Sequence, residues 1–376
     1  MKVRVSPIAL KELVSKVGYV VSSRITQPIL KNFLVEAEGS SLSFYGNDGN
    51  MMLRGTIETV VEEEGTICVD AKKMTDIVSV YAQSGYSEMM IETTDDRVMF
   101  FSEDMKHSLA GEPSSDYPVL DVDIPKAASA TVKADIIRRA LNLTMYAVSG
   151  DLNRISLSGV LFEFLPDQTR VVASDGHILS FVKIIGEEIP YFGETVSPLI
   201  PSKTLITLLR MLDEEDVQVK TKEGRIVFVV GNYALVSNLI SERFPAYEQI
   251  IPRESKGELI VDREIFVDAL NGVKILENPL THLVKLAISD GKIEFSASDT
   301  QIYGEAYRRL DAEYSGDSIC IGFSSEALLK IFKGSDSEKM KLLFNSPKST
   351  VMVQPFPKEE GFDHLALIMP SNIPEE

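Results

Sequence analysis

Six times along the chain a short run of alternating apolar and polar residues reaches a polar or Pro/Ser break. It then passes into apolar residues spaced at i, i+3/i+4 and i+7. These segments begin near Val3, Thr66, Thr131, Val196, Glu258 and Asp317, at start-to-start spacings of 63, 65, 65, 62 and 59 residues. The 3.6-residue period predicts amphipathic helices over 8–20, 71–83, 133–148, 202–211, 262–275 and 325–334. In the first, Leu10, Leu13, Val17 and Val20 form the apolar stripe. Ser6-Pro7, Asp70, Ser202 and Ser324–Ser325 are predicted helix starts, because a hydroxyl or carboxylate there satisfies free backbone N–H groups. Period-2 runs follow each helix, as in Phe33–Ala37 with Leu42–Tyr45, Val217–Thr221 with Arg225–Val229, and Leu283–Ile288 with Ile293–Ser296. Tight turns rich in Gly separate them, the hairpin pattern. Each unit therefore reads strand–helix–three strands.

A coarser repeat lies over this one. Gly46-Asn-Asp-Gly-Asn50, Ala173-Ser-Asp-Gly-His177 and Ala297-Ser-Asp-Thr-Gln301 align at Asp48, Asp175 and Asp299, 127 and 124 residues apart. Tyr117-Pro118 followed by Ile124-Pro125 is echoed by Pro245-Ala-Tyr247 followed by Ile251-Pro252. The expected architecture is an α+β chain of three tandem similar domains, 1–125, 126–252 and 253–376, each of two half-units. Tandem sheet-backed domains suggest an arc or ring, because each sheet edge can pair with the next.

Composition excludes disorder: 376 residues, 44% hydrophobic and 25% charged. Cys68 and Cys320 stand 252 residues apart in apolar strand-like runs, without metal spacing or a disulfide framework, and read as buried free thiols. The N-terminal stretch lacks an apolar signal core, and no apolar run approaches the ~18 residues that span a bilayer. The expectation is a soluble, cytoplasmic protein without cofactor or metal. A net charge of −18 taken alone argues against a nucleic-acid partner.

The motifs Arg24-Ile-Thr-Gln-Pro-Ile-Leu30, Gly159-Val-Leu-Phe-Glu163, Ala173-Ser-Asp-Gly-His177, Phe244-Pro-Ala-Tyr247 and Leu367-Ile-Met-Pro370 stand in order at these spacings. In this combination the whole chain resembles the bacterial sliding clamp family, the β subunit of DNA polymerase III. The resemblance implies a head-to-tail homodimeric ring around duplex DNA, with helices lining the hole and sheets outside. It further implies a non-catalytic accessory subunit of a nucleotidyltransferase holoenzyme. This subunit confers processivity on the DNA polymerase catalytic subunit and meets clamp loader and repair proteins through short linear motifs.

Charge resolved by segment agrees with that implication. The six helical stretches carry 13 bases and 7 acids, a net +6, leaving −24 on the rest of the chain. A basic lining neutralises phosphates without reading bases, while an acidic exterior repels DNA. The residues implied for DNA are Arg24, Lys72, Lys73, Arg154 and Lys203. Lys72, Lys73 and Lys203 sit in first helical turns, where a cation opposes the helix dipole. The family's peptide pocket falls here on Leu157, Ser174, Gly176, His177, Leu179, Pro245, Ile250, Ser346, Leu367, Ile368, Met369 and Pro370. This mainly apolar set suits motifs anchored by Leu and Phe. The dimer contact falls on His107 and Leu109 of one copy against Ile275 and Leu276 of the other. Two departures mark the pocket: Ile178 and Gln249 stand where the family often has arginine, and six residues follow Pro370.

Two other readings remain open at this stage. One is a clamp paralogue acting as a protein-binding scaffold without DNA retention. The other is an acidic hydrolase on repeated domains. Against the latter, His107, His177, His282 and His364 are scattered, with no H-E-x-x-H and no phosphate loop. Asp175 beside His177 reads as a repeated turn, and Glu62–Glu64 and Glu359–Glu360 read as solvated loops.

Overall fold

The computed structural model describes all residues except 22–26, 95, 125, 152, 187–189, 191, 290, 300 and 375–376. The six half-units are present as expected. The first is β1 (Lys2–Val5), α1 (Pro7–Val17), β2 (Asn32–Glu38), β3 (Ser41–Asn47) and β4 (Met51–Glu58), with a short β5 (Val60–Glu63) appended. The second is β6 (Gly65–Asp70), α2 (Ala71–Gln83), β7 (Met89–Thr94), β8 (Arg97–Phe101) and β9 (Lys106–Glu112). The third is β10 (Ala128–Val132), α3 (Ala134–Thr144), β11 (Gly159–Phe164), β12 (Thr169–Ser174) and β13 (Ile178–Ile184). The fourth is β14 (Leu199–Pro201), α4 (Ser202–Met211), β15 (Val217–Lys222), β16 (Arg225–Val230) and β17 (Tyr233–Asn238). The fifth is β18 (Gly257–Asp262), α5 (Arg263–Lys274), β19 (Leu283–Ser289), β20 (Lys292–Asp299) and β21 (Gly304–Asp311), followed by β22 (Glu313–Ser315). The sixth is β23 (Ile319–Ser324), α6 (Ser325–Gly334), β24 (Lys339–Phe344), β25 (Val351–Phe356) and β26 (Phe362–Ile368).

Local chemistry sets the helix starts. Asp70, Asp262 and Ser324 each accept the backbone N–H three residues on, from Lys73, Ile265 and Ala327. Ser6 makes no such bond; Pro7 at the first helical position supplies the preset φ instead. Two helices stop earlier than their apolar stripe. α1 ends at Val17, and α3 ends at Thr144 and tightens into a 3-10 turn over Met145–Ala147. Val20 and Ala147 are buried all the same, so the stripe reports burial and not helix length.

The chain packs as two compact units, Met1–Asp135 with Lys203–Leu239, and Ile136–Ser202 with Ile240–Glu376. The first is built on a 13-stranded sheet ordered β10-β15-β16-β17-β4-β3-β2-β6-β9-β8-β7-β1-β5. The second holds a nine-stranded sheet, β14-β11-β12-β13-β26-β25-β24-β18-β22, and a four-stranded one, β21-β20-β19-β23. The paired strands run antiparallel. Two joins carry a sheet across the coarse repeat. β17 pairs with β4, with Leu235 opposite Leu53, and β13 pairs with β26, with Leu179 opposite Leu367.

Helices cover one face of these sheets. α1 packs on α2, and α5 on α6, where the Phe266 and Phe332 rings stack 4.0 Å apart. The opposite face is sealed by the segments with the Tyr-Pro and Pro-Ala-Tyr echoes. Tyr117 closes over Leu34, Met52 and Cys68, and its hydroxyl donates to the Tyr45 carbonyl at 3.1 Å. Tyr247 closes over Leu179, Phe181 and Leu367, and its hydroxyl donates to Glu163. Cys68 is wholly buried there, and burial, with Glu112 adding, pushes its thiol up to about 12. Cys320 departs from the expectation and is exposed. On β23 the two-residue period turns Ile321 and Phe323 into the core and Cys320 the other way.

Candidate nucleic-acid and peptide-binding surfaces

The three aligned aspartates share one local role. Asp48 Oδ1 accepts from the Asn50 and Met51 N–H groups, Asp175 Oδ1 from His177 and Ile178, and Asp299 Oδ1 from Gln301. Gly49 and Gly176 supply the positive φ, +92° and +91°, that closes the first two turns. Asp175 therefore serves a turn and not His177 as an acid–base partner.

Among the implied DNA residues, Lys72 and Lys73 stand exposed on the first turn of α2. Lys203 on α4 sits in the same unit, but its Nζ lies 2.5 Å from Asp48 Oδ2, on a side chain that is itself almost wholly buried. Further helix bases are also held by acids. Lys16 reaches Asp213 at 3.0 Å and Glu12 at 3.3 Å, and Arg139 forks onto Glu359. Glu359 is thus paired, in place of the freely solvated loop acid expected, and Glu62 likewise binds Lys2 and Arg4. Arg24 lies outside the described residues. Arg154 lies in the other unit, at the start of a 3-10 turn over Ile155–Leu157, and its Nη1 donates to the Asp175 carbonyl at 3.0 Å. That contact sets it against the Gly176 turn, among the residues implied for the peptide pocket.

Those pocket residues come together through the β13–β26 pairing. Ile178 lies opposite Ile368 and Leu179 opposite Leu367, and the Met369 N–H donates to the His177 carbonyl at 2.9 Å. β25 extends the ladder, with Val351 opposite Ile368, and the following-turn residue Ser346 closes the β24–β25 connection through Ser349. Leu157 lies against Gly176: a Cβ there would stand 3.9 Å from Leu157 Cδ1 and only 2.6 Å from Arg154 Nη1. Pro245 and Ile250 flank Tyr247, whose segment is held by the Arg170–Glu248 contact. Burial divides the set in two. Leu157, Ser174, Leu179, Leu367 and Ile368 are buried and form a floor, with the Ser174 hydroxyl donating to the Ile178 carbonyl. Gly176, His177, Pro245, Ile250, Ser346 and Met369 are exposed around it, and Pro370 is half-buried. Ile155, exposed beside Arg154, adds apolar surface that the sequence motifs did not flag.

Models of the DNA polymerase III beta subunit match almost the whole chain: the N-terminal domain over residues 1–121, the central domain over 131–246 and the C-terminal domain over 248–371. The chain belongs to the DNA polymerase III beta subunit family. It is 29% identical to the beta sliding clamp of Proteus mirabilis over 339 residues, 89% of this chain and 90% of that one. It is 28% identical to the Escherichia coli K12 clamp, covering 94% and 96%. The crystal structure of a DNA polymerase sliding clamp from Pseudomonas aeruginosa superimposes with a TM-score of 0.92 at 25% identity, covering 99% of this chain and all of that one. The chain thus has the three-domain fold of sliding clamps, and its relatives are clamps of DNA replication.

The residues that the clamp family implies for self-association lie on a partly unpaired strand, β9, and at the end of helix α5. β9 is paired along its length by β8, while β6 meets it only at Gly111 and Glu112. His107 and Leu109 are half-buried on that strand, and His107 packs edge-on against Tyr81, ring centroids 5.5 Å apart. β21 ends the four-stranded sheet, and near it Leu276 lies against Gly304. Ile275, Leu280, Ile302, Tyr303 and Tyr307 are exposed in this region of the chain, and Ile275 is 78% exposed. After Pro370 the tail follows β23: Ser371 bridges Gly322, its N–H donating to the Gly322 carbonyl at 2.8 Å.

Among the described residues no cluster of three or more His, Cys, Asp or Glu could hold a metal ion. No described helix is long and apolar enough to cross a membrane.

Proposed function

We propose that this chain is a sliding clamp. Two copies join head to tail into a ring, domains 1–125, 126–252 and 253–376 of each, and encircle double-stranded DNA without reading its sequence. The ring tethers the catalytic subunit of a replicative DNA polymerase and so confers processivity, with no chemistry of its own and no cofactor. The end-to-end family match carries the reading. Contact with DNA falls to Arg24, Lys72 and Lys73, with Lys203 in a lesser part because its charge is already shared with Asp48. Short linear motifs of the polymerase, the clamp loader and repair proteins dock on the floor of Leu157, Leu179, Leu367 and Ile368, under the rim of His177, Ile250 and Met369. Arg154 moves from the DNA surface to this rim, given its hydrogen bond to Asp175. His107 and Leu109 meet Ile275 and Leu276 of the second copy, joining the partly unpaired strand β9 to the end of α5 beside the β21 edge. The cytoplasm is the compartment proposed.

The test is primer extension on circular DNA with polymerase and clamp loader, where adding this protein lengthens products from single binding events. The ion pairs of Lys16, Arg139 and Lys203 favour the second reading, a protein-binding scaffold without DNA retention. Under that reading, peptide binding persists while product length does not change.

A further inference from the structure

A cavity of about 280 Å³ opens in the second unit between the α3 helix and the segment linking β25 to β26. Its polar lining is Arg139, Asp336, Ser337, Lys358, Glu359, Asp363 and His364, and Leu143, Pro355, Pro357 and Phe362 complete the wall. Apart from Arg139, one of the helix bases counted above, none of these belongs to the DNA, peptide or dimer surfaces.

Two buried nitrogens of this lining have no hydrogen-bond partner, the donor Arg139 Nε and His364 Nδ1, and only His364 has no ion pair beside it. It is 3% exposed, and its Nδ1 has no hydrogen-bond partner. Its Nε2 lies 3.1 Å from Ser180 Oγ, and that hydroxyl donates its one proton to the Leu143 carbonyl at 2.5 Å. Nε2 must therefore carry the ring proton and donate to Ser180, which leaves Nδ1 a bare acceptor. The charges that reach the ring, Asp336, Asp363 and Arg139, all line the cavity. A buried acceptor without a donor costs stability, and a cavity beside it is where a donor would come from.

The remaining charges say which donor fits. Arg139 is neutralised by its fork onto Glu359 and stacks on the Phe362 ring, 4.3 Å from its centroid. Lys358 is taken by Asp363 Oδ1 at 3.4 Å. Asp336 is 3.5 Å from Arg139 Nε through one oxygen only. With His364 neutral, three carboxylates face two cations, so the lining is short of one positive charge. Its acceptors are His364 Nδ1, which has no hydrogen-bond partner, and the carboxylates of Asp336 and Asp363, whose side chains also reach solvent. A primary ammonium brings one positive charge and three N–H donors, and Leu143, Pro355 and Pro357 offer an apolar bed for a short alkyl chain. We propose that this cavity binds a small primary alkylammonium ion, with His364, Asp336 and Asp363 accepting from its nitrogen.

The experiment uses the full-length protein with ¹⁵N-labelled histidine, in which four histidines give ring signals. The His364 signal is the one missing from His364→Gln. n-Butylammonium chloride is titrated at constant ionic strength, beside tetramethylammonium, which has the charge but no N–H, and sodium butyrate. The expected result is a saturable shift of His364 Nδ1 with n-butylammonium alone. Asp336→Asn, a change at a solvent-facing side chain checked by an unaltered melting midpoint, should weaken that binding about tenfold. An equal shift with tetramethylammonium, a response to butyrate instead, an affinity unmoved in Asp336→Asn, or no shift with any probe overturns the proposal. The readout does not depend on clamp activity, so its failure leaves the proposed function standing.

Discussion

Lys203 Nζ and Asp48 Oδ2 lie 2.5 Å apart, joining the start of α4 to the β3–β4 turn across 155 residues of sequence. The Asp48 side chain is almost wholly buried and already accepts two backbone N–H groups through its other oxygen. A cation at the first turn of a helix opposes the helix dipole, and here the carboxylate opposite offsets that cost. The position that looked functional because it broke a local rule has a structural partner.

That pairing ranks the DNA contacts. Lys73→Glu should shorten retention on a closed circular plasmid more than Lys203→Met, because Lys73 has no described acid partner for its side chain while Lys203 is shared. Each true phosphate contact removed should flatten the log-affinity against log-salt slope by about 0.9. Retention half-lives at several salt concentrations test this; identical half-lives for both variants would place DNA elsewhere. Lys203→Met should also cost no more than about 1 kcal/mol of stability, the range for a solvent-accessible pair.

Met369 is exposed beside a buried floor, the arrangement of an adaptable anchor. A peptide of QLxLF type should bind the wild-type protein, and Met369→Ala should weaken it by about 1–2 kcal/mol. Fluorescence anisotropy measures this. An unchanged dissociation constant would take the pocket off this surface.

Ile275 is exposed in a single copy, so a polar side chain there leaves the fold alone while it opposes the proposed apolar contact between copies. Wild type should sediment near twice 41.6 kDa and Ile275→Asp near 41.6 kDa, with equal melting of secondary structure. A wild-type monomer would refute the ring.

Burial holds the His364 imidazole down to about 4, with Arg139 adding to the depression and Asp336 and Asp363 opposing it. The unfolded chain takes up this proton near 6.5 and the folded chain does not until about pH 4. Stability from this site is therefore complete above pH 6.5 and is lost as pH falls from 6.5 toward 4, by about 3 kcal/mol in all. Urea unfolding at pH 7, 5.5 and 4.5 should show the loss. His364→Gln, which cannot titrate, should flatten that part of the curve; an unchanged slope would assign it to other groups.

Sequence periodicity located the helices to within a few residues. It overran where a buried residue such as Val20 or Ala147 continues a stripe after the helix has ended. Alternation in β23 was legible too, but not which of its faces is covered, so Cys320 was expected inside. The residues of the proposed peptide pocket were legible only as distant motifs. Nothing local shows that the Arg154 guanidinium turns onto the Asp175 carbonyl.

The chain's own sequence determined the six half-units, the three aspartate turns and the Asp70 and Ser324 caps, because each depends on hydrogen bonds and apolar spacing within a few residues. Tertiary structure alone decided that β17 joins β4 and β13 joins β26, since six half-units of nearly equal length present similar edges and only the packed chain selects among them. That choice puts Leu179 beside Leu367 and Lys203 on Asp48. The packed chain likewise puts Arg139 on Glu359 and leaves His364 facing a cavity without a donor. Which charges remain free for a partner is a property of contacts between distant residues, and no local pattern carries it.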